Sequence, residues 1–157
     1  MVLSTDLDAE SRRRQRWLSL LAKSPCARLE ALWAEIQSEL PPASSLRRPE
    51  IGLVMVQGRI SGTGAAFCTG EMTATRAAVR LDSGEVGIGY VGGRNARHAE
   101  IVATVDALGQ RAEWRGLLER RIVAPLAEEA EARRQLAAQR TNATKVDFFT
   151  VAREAGA

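Results

Sequence analysis

Met72-Thr-Ala-Thr-Arg-Ala-Ala-Val-Arg-Leu81, the turn Asp82-Ser83-Gly84, the return Glu85-Val-Gly-Ile-Gly-Tyr-Val91 and then Gly92-Gly-Arg-Asn-Ala-Arg-His-Ala-Glu100 form the stretch that decides the fold. The first strand reaches back to Phe67. Phe67, Thr69, Thr73, Thr75, Ala77, Val79 and Leu81 share one parity, and Cys68, Gly70, Met72, Ala74, Arg76, Ala78 and Arg80 share the other. Side chains alternate across a strand, so one face is the more apolar and the other displays two arginines, roughly 13 Å apart. Asp-Ser-Gly is hairpin-turn chemistry. The return strand sets Val86, Ile88 and Tyr90 against Gly87 and Gly89. A glycine face predicts that another backbone or a helix approaches closely there. Gly92-Gly93 then leads into a helix from about Asn95 to Leu108, with Ile101, Val102, Val105 and Leu108 inward.

Working outward, the first forty residues read as two amphipathic helices. A basic turn, Arg12-Arg13-Arg14-Gln15-Arg16, precedes Trp17, Leu18, Leu20 and Leu21. Ser24 is a suitable N-cap and Pro25 a suitable first helical residue for the second helix. Leu29, Leu32, Trp33, Ile36 and Leu40 form its stripe, and Pro41-Pro42 ends it. Pro41 to Pro49 reads as a short linker. Ile51-Gly-Leu-Val-Met-Val-Gln57 reads as a mostly buried strand, broken at Ser61-Gly-Thr-Gly64. On the far side, Trp114, Leu117, Leu118 and Ile122 mark a helix interrupted at Pro125, and Glu128 to Gln139 a solvated helix. The chain closes with the apolar tail Val146-Asp-Phe-Phe-Thr-Val151. The expectation is an α+β fold: two N-terminal helices, an antiparallel β-meander of about three strands, then C-terminal helices and a tail. A single domain spans residues 1–157, with 1–10 expected to be flexible and 141–157 a docking tail.

Bulk properties narrow the class. At 157 residues, 45% hydrophobic and 26% charged, the chain has the make-up of one soluble globular domain. No apolar run approaches the roughly 18 residues of a membrane span, and the acidic start lacks signal-peptide layout, so a cytoplasmic protein is expected. Cys26 and Cys68 stand alone, outside any CxxC pair, and with one histidine they make no zinc set. Both read as reduced, packing-type thiols. Of 22 basic residues only Lys23 and Lys145 are lysine, which matches codon bias or arginine's aptitude for anions and interfaces.

Several features are candidates for chemistry. Gly62-Thr63-Gly64 lacks nucleotide-loop spacing and reads as a turn. Gly92-Gly93-Arg94 before a helix start offers amides to an anion, reinforced by Arg94 and Arg97; the competing reading pairs those arginines with acids such as Glu100. His98 has no orienting carboxylate at helical spacing and no nucleophile partner, so a structural or interface role is expected over a catalytic one. Arg76, Arg80, Arg94, Arg97 and His98 are thus the ligand-facing candidates. Phe148 and Phe149 are the interface candidates, the competing reading being that the tail folds back onto the chain's own core. No catalytic residue and no metal ligand is assigned. Two other classes remain open: a stand-alone phosphate- or nucleotide-binding enzyme using Arg76, Arg80, Arg94 and His98, and a nucleic-acid-binding regulator suggested by Arg12–Arg16 and an isoelectric point near 9.4.

The Trp17 helix, the Gly62-Thr-Gly64 turn, Thr75-Arg-Ala-Ala-Val-Arg-Leu81, Gly93-Arg94 with His98-Ala-Glu100, Ala124-Pro125-Leu126 and Val146-Asp-Phe-Phe149 occur in this order. Together, over about Arg13 to Arg153, they resemble the PhnG family, subunits of the bacterial carbon–phosphorus lyase system. The resemblance implies a part in a complex with PhnH, PhnI and PhnJ. In that system PhnI, helped by PhnG, PhnH and PhnL, exchanges the adenine of ATP for an alkylphosphonate. PhnJ later breaks the carbon–phosphorus bond with an iron–sulfur cluster and S-adenosylmethionine. The resemblance implies no cofactor held by this chain alone, and two lone cysteines fall short of a cluster's ligand set.

Overall fold

The glycine face of the return strand meets a helix, as its missing side chains require. In the computed structural model, which describes residues 9–60 and 63–144, three antiparallel strands form one sheet in the order β1-β2-β3. They are β1 (Ala43–Arg59), β2 (Ala66–Leu81) and β3 (Val86–Gly92). The helix α3 (Ala96–Gly109) lies across one face. A Cβ built on Gly87 would stand 1.9 Å from the Ala103 carbonyl oxygen, and one on Gly89 1.9 Å from that of Ala99. Ala99, Ala103 and Ala107 recur every four residues and keep that side of α3 thin. Backbone therefore packs on backbone, and only glycine leaves the space.

The rest of the core closes over the same face. Trp17 and Leu21 come from α1 (Ala9–Lys23), and Leu29, Leu32, Trp33 and Ile36 from α2 (Cys26–Ile36). Leu118, Ile122, Val123 and Leu126 come from a helical path made of α4 (Ala112–Leu118), a π turn (Glu119–Val123) and α5 (Ala124–Ala143). These side chains join Ala77, Val79, Leu81 and Val91 of the sheet in one cluster with Ile101, Val102, Val105 and Leu108. The α+β order read from the sequence is the order found. No helix of the described residues is long and apolar enough to cross a membrane.

Five local expectations change. Ser24 does not cap α2: its hydroxyl donates back to Leu21 O at 2.7 Å, so it finishes α1, and Pro25 takes the N-cap position. The Pro41–Pro49 stretch is not a linker, because β1 begins at Ala43. Pro49 is tolerated there because β1 is an edge strand and its pairing register shifts between Arg47 and Glu50. Pro125 does not interrupt the helix; it follows the π turn and falls in the first turn of α5, where its missing donor costs little. Cys68 is exposed on β2 rather than packed.

The fifth change matters most: the strand expected to be mostly buried is exposed. Ile51, Leu53 and Met55 are 55%, 64% and 66% accessible. They belong to the far part of the β1–β2 ribbon, which α3 does not cover. The Val146–Val151 tail, with Phe148 and Phe149, lies outside the described residues, as do Ser61 and Gly62 of the glycine turn.

Candidate functional site

β2 separates the ligand-facing candidates into two groups. Its odd-numbered residues Thr75, Ala77, Val79 and Leu81 are buried under α3, so Arg76 and Arg80 project from the opposite face. There Arg76 sits across from Glu50 of β1 and Tyr90 of β3 and pairs with Glu50, Nη2 to Oε2 at 3.1 Å. Both partners are half exposed, so this pair is worth about 0.2–1 kcal/mol. Arg80 makes no ion pair among the described residues. A shallow hollow of about 210 Å³ lies beside Arg76, lined by Glu50, Gly52, Val54, Ala74 and Tyr90.

Arg94 and Arg97 stand exposed at the start of α3. Arg97 is 4.0 Å from Glu100, and Arg94 has no ion-pair partner among the described residues. The helix start is already furnished with acceptors. Asn95 caps α3, its Oδ1 accepting from the His98 backbone N–H at 2.9 Å. Gly93, at φ +86°, adopts a conformation that favours glycine, and its carbonyl accepts from Thr75 Oγ1 at 2.6 Å. Thr75 Oγ1 in turn accepts from Asn95 N–H at 3.1 Å.

His98 faces inward. It is buried, and its Nε2 donates to Leu21 O at 2.8 Å, which fixes the Nε2–H tautomer. The imidazole thus ties α3 to the last turn of α1, one side of the sheet away from Arg76 and Arg80. The structure brings Arg76 and Arg80 onto one face, places Arg94 and Arg97 at an exposed helix start, and keeps His98 in the core.

Near that helix start the Asn95 amide donates to Cys26 Sγ at 2.9 Å, and the thiol donates to Glu30 Oε1 at 3.3 Å. Burial pushes the Cys26 thiol up from its ordinary pKa, and the contact with Glu30 adds to the effect.

A cavity of about 400 Å³ lies elsewhere, between α1 and the far half of α3. Its wall holds a pair that spacing in the sequence does not announce. Arg14 donates from Nε to Asp106 Oδ1 and from Nη2 to Oδ2, each at 2.7 Å. The Asp106 side chain is only 1% exposed and also accepts the Ile88 N–H at 2.9 Å. Its hydrogen bond holds the Arg14 guanidinium above its ordinary pKa despite partial burial. The residues are 92 positions apart, and the only sequence sign is an acid among buried positions of α3.

A family model described as "Phosphonate metabolism protein PhnG" matches residues 12–154. The chain belongs to the PhnG family. It is also 41% identical, over 95% of its own length and 94% of the relative's, to a protein of Rhizobium meliloti (strain 1021). That protein is named alpha-D-ribose 1-methylphosphonate 5-triphosphate synthase subunit PhnG. The matched range runs from before Trp17 to beyond the Val146–Val151 tail, and so includes the whole stretch that carries those motifs.

Proposed function

We propose that this chain is an accessory subunit of the carbon–phosphorus lyase core complex and acts in organophosphonate catabolism. In this reading it supports PhnI in displacing adenine from ATP with an alkylphosphonate, giving a ribose alkylphosphonate triphosphate. PhnH and PhnJ are the other core partners, with PhnL joining the transfer step. ATP and the phosphonate bind at the level of the complex, and the iron–sulfur cluster and S-adenosylmethionine belong to PhnJ. The work is placed in the cytoplasm.

The observation that carries the reading is the ribbon of β1 and β2, whose large apolar side chains stand in solvent. Ile60 is 70% accessible, beyond Leu53 at 64% and Met55 at 66%. Exposed apolar patches of more than a few hundred Å² mark contact surfaces. A subunit explains that surface, and the Rhizobium meliloti relative is named as a subunit. Arg76, Arg80, Arg94 and Arg97, exposed around the sheet and the α3 start, then serve as anion-facing groups in a site completed by another chain.

The test is reconstitution. Leaving this chain out of the co-purified subunits should abolish formation of the triphosphate product from ATP and methylphosphonate, and adding it back should restore it. Full turnover without the chain, or a stable monodisperse monomer that ignores the other subunits, sinks the proposal.

A further inference from the structure

The two edges of the sheet are treated differently. On β3, side chains from α3 and from Gln110, which caps its end, occupy the outward backbone: Asp106 Oδ2 accepts from Ile88 N–H at 2.9 Å, and Gln110 Nε2 donates to Val86 O at 2.8 Å. That edge is closed to a further strand. On β1 the outward N–H and C=O groups of Glu50–Val56 have no such partner among the described residues. This stretch is also the most regular part of the strand. Seven consecutive residues pair with β2, from Glu50 opposite Arg76 to Val56 opposite Gly70, and register shifts lie on either side.

The side chains of the stretch are those of an interior strand. Between Ile51 and Val56 there is no charge, and apolar residues point to both faces: Ile51, Leu53 and Met55 to one, Val54 and Val56 to the other. Such near-continuous runs occur in strands covered on both faces. Edge strands ordinarily carry a charge or a proline to prevent pairing. Here Pro49 and the irregularities stop at its borders.

The pattern also decides what kind of partner fits. Opposite Ile51, Leu53 and Met55 on β2 stand Thr75, Thr73 and Glu71. A helix laid across the ribbon would cover that polar row as well. A strand laid beside β1 meets only the apolar row and receives the unused hydrogen bonds. We infer that Glu50–Val56 is a strand-addition site, filled by an extended segment of a partner subunit with apolar residues at alternate positions. Arg48 flanks the site at one end and Arg59 at the other, neither in an ion pair among the described residues, while Arg47 is already paired with Glu50 at 3.3 Å; the incoming segment therefore carries carboxylates at its ends. A second copy of this chain fits poorly, since antiparallel pairing sets the Arg47–Arg48 end of one copy against Arg59 of the other. This inference rests on the subunit reading above and specifies one contact within it.

Amide hydrogen exchange on the full chain, free and in the co-purified complex, tests it. In the free chain the outward-facing amides of Ile51–Val56 exchange quickly; on assembly they should slow by more than a hundredfold. The variant Leu53→Lys/Met55→Lys, altered only at exposed positions, should keep its melting temperature and lose more than tenfold in affinity for the other subunits. Assembly without protection of these amides, or undiminished binding by a folded variant, overturns strand addition while leaving the subunit reading intact. Protection of the same amides in the chain alone, with dimers in solution, overturns it in favour of self-pairing. Failure to associate with any subunit removes both readings.

Discussion

Gly89→Ala adds a single methyl group at one of the two most confined strand positions, the other being Gly87, and its cost can be worked from the geometry. The new Cβ would lie 1.9 Å from Ala99 O, 2.9 Å from Ala99 C and 3.0 Å from Ala103 N. Restoring even a tight 3.0 Å separation from that oxygen needs a shift of 3.0 − 1.9 = 1.1 Å. The obstacle is backbone, so no side chain can swing aside and no substitution at Ala99 relieves it. Nor is α3 free to slide: His98 is fixed to Leu21 O, Asp106 to both Arg14 and Ile88, and Ile101, Val102, Val105 and Leu108 are buried. Overpacking of this kind costs about 1–3 kcal/mol, here the upper end, against a gain of about 0.4–1 kcal/mol from stiffening the unfolded chain. The net loss of roughly 2 kcal/mol lowers the melting temperature by about 4–8 °C for a chain of this size. Gly52→Ala is the matched control, a strand glycine whose added Cβ meets nothing within 4 Å. Its melting temperature should be unchanged or slightly higher. Thermal unfolding followed by circular dichroism decides the matter: a Gly89→Ala protein melting within about 2 °C of both parent and control would refute the helix-on-strand packing.

Three further outcomes follow from the same geometry. Arg14→Ala strands the buried Asp106 carboxylate and should cost about 3–5 kcal/mol, whereas Asp106→Asn leaves only a half-exposed arginine unpaired and should cost about 1–3 kcal/mol; denaturant titration of both variants checks the order. In a maleimide time course near pH 8, exposed Cys68 should react well before Cys26, whose raised pKa and partial burial leave less accessible thiolate; equal rates in Cys26→Ser and Cys68→Ser would contradict this. The Ser83 hydroxyl donates to Glu85 and, as the largest cause, lowers its pKa below the ordinary 4.5. Ser83→Ala should therefore raise the Glu85 value in an NMR titration. Because a lowered carboxylate pKa adds stability that is present above the unfolded value and lost as pH falls through the folded one, any stability difference of this variant should fade below about pH 4.5.

The parts of the fold that were legible in the sequence were those written as local periodicity. Gly87 and Gly89 on one parity call for a close backbone or helix, which α3 supplies, and the Leu29–Ile36 stripe marks α2. What failed to show was anything decided by a distant neighbour. The apolar run Ile51–Val56 says that the strand prefers cover on both faces, but nothing in it says that the chain supplies none. The proline cluster at 41–49 hid the start of β1, because a register shift on an edge strand accommodates Pro49 without a trace in composition. Arg14 and Asp106 lie on helices 92 positions apart, and His98 answers to a backbone carbonyl, which leaves no residue signature at all.

Among the described residues, the buried polar groups work on the α3 side of the sheet. Asp106 closes the β3 edge and anchors α1, His98 joins α1 to α3, and Asn95 and Thr75 finish the start of α3. The groups left without such work, Arg80, Arg94 and the apolar row of β1, stand exposed beyond that core. A chain that satisfies one edge of its sheet with its own side chains and leaves the other open has spent its own polar groups on rigidity, not on a self-contained ligand site. The arginines of the central hairpin are therefore best placed to act where another subunit meets the ribbon. On this view strand addition at β1 and anion contact at Arg76 are coupled. Glu50, which holds Arg76, is the first residue of the regular stretch, so a partner strand whose end carboxylate displaces the Glu50 side chain would free the Arg76 guanidinium for phosphate. Glu50→Gln should then mimic that release, leaving assembly intact while altering the apparent KM of the complex for its anionic substrates; an unchanged KM would separate the two surfaces.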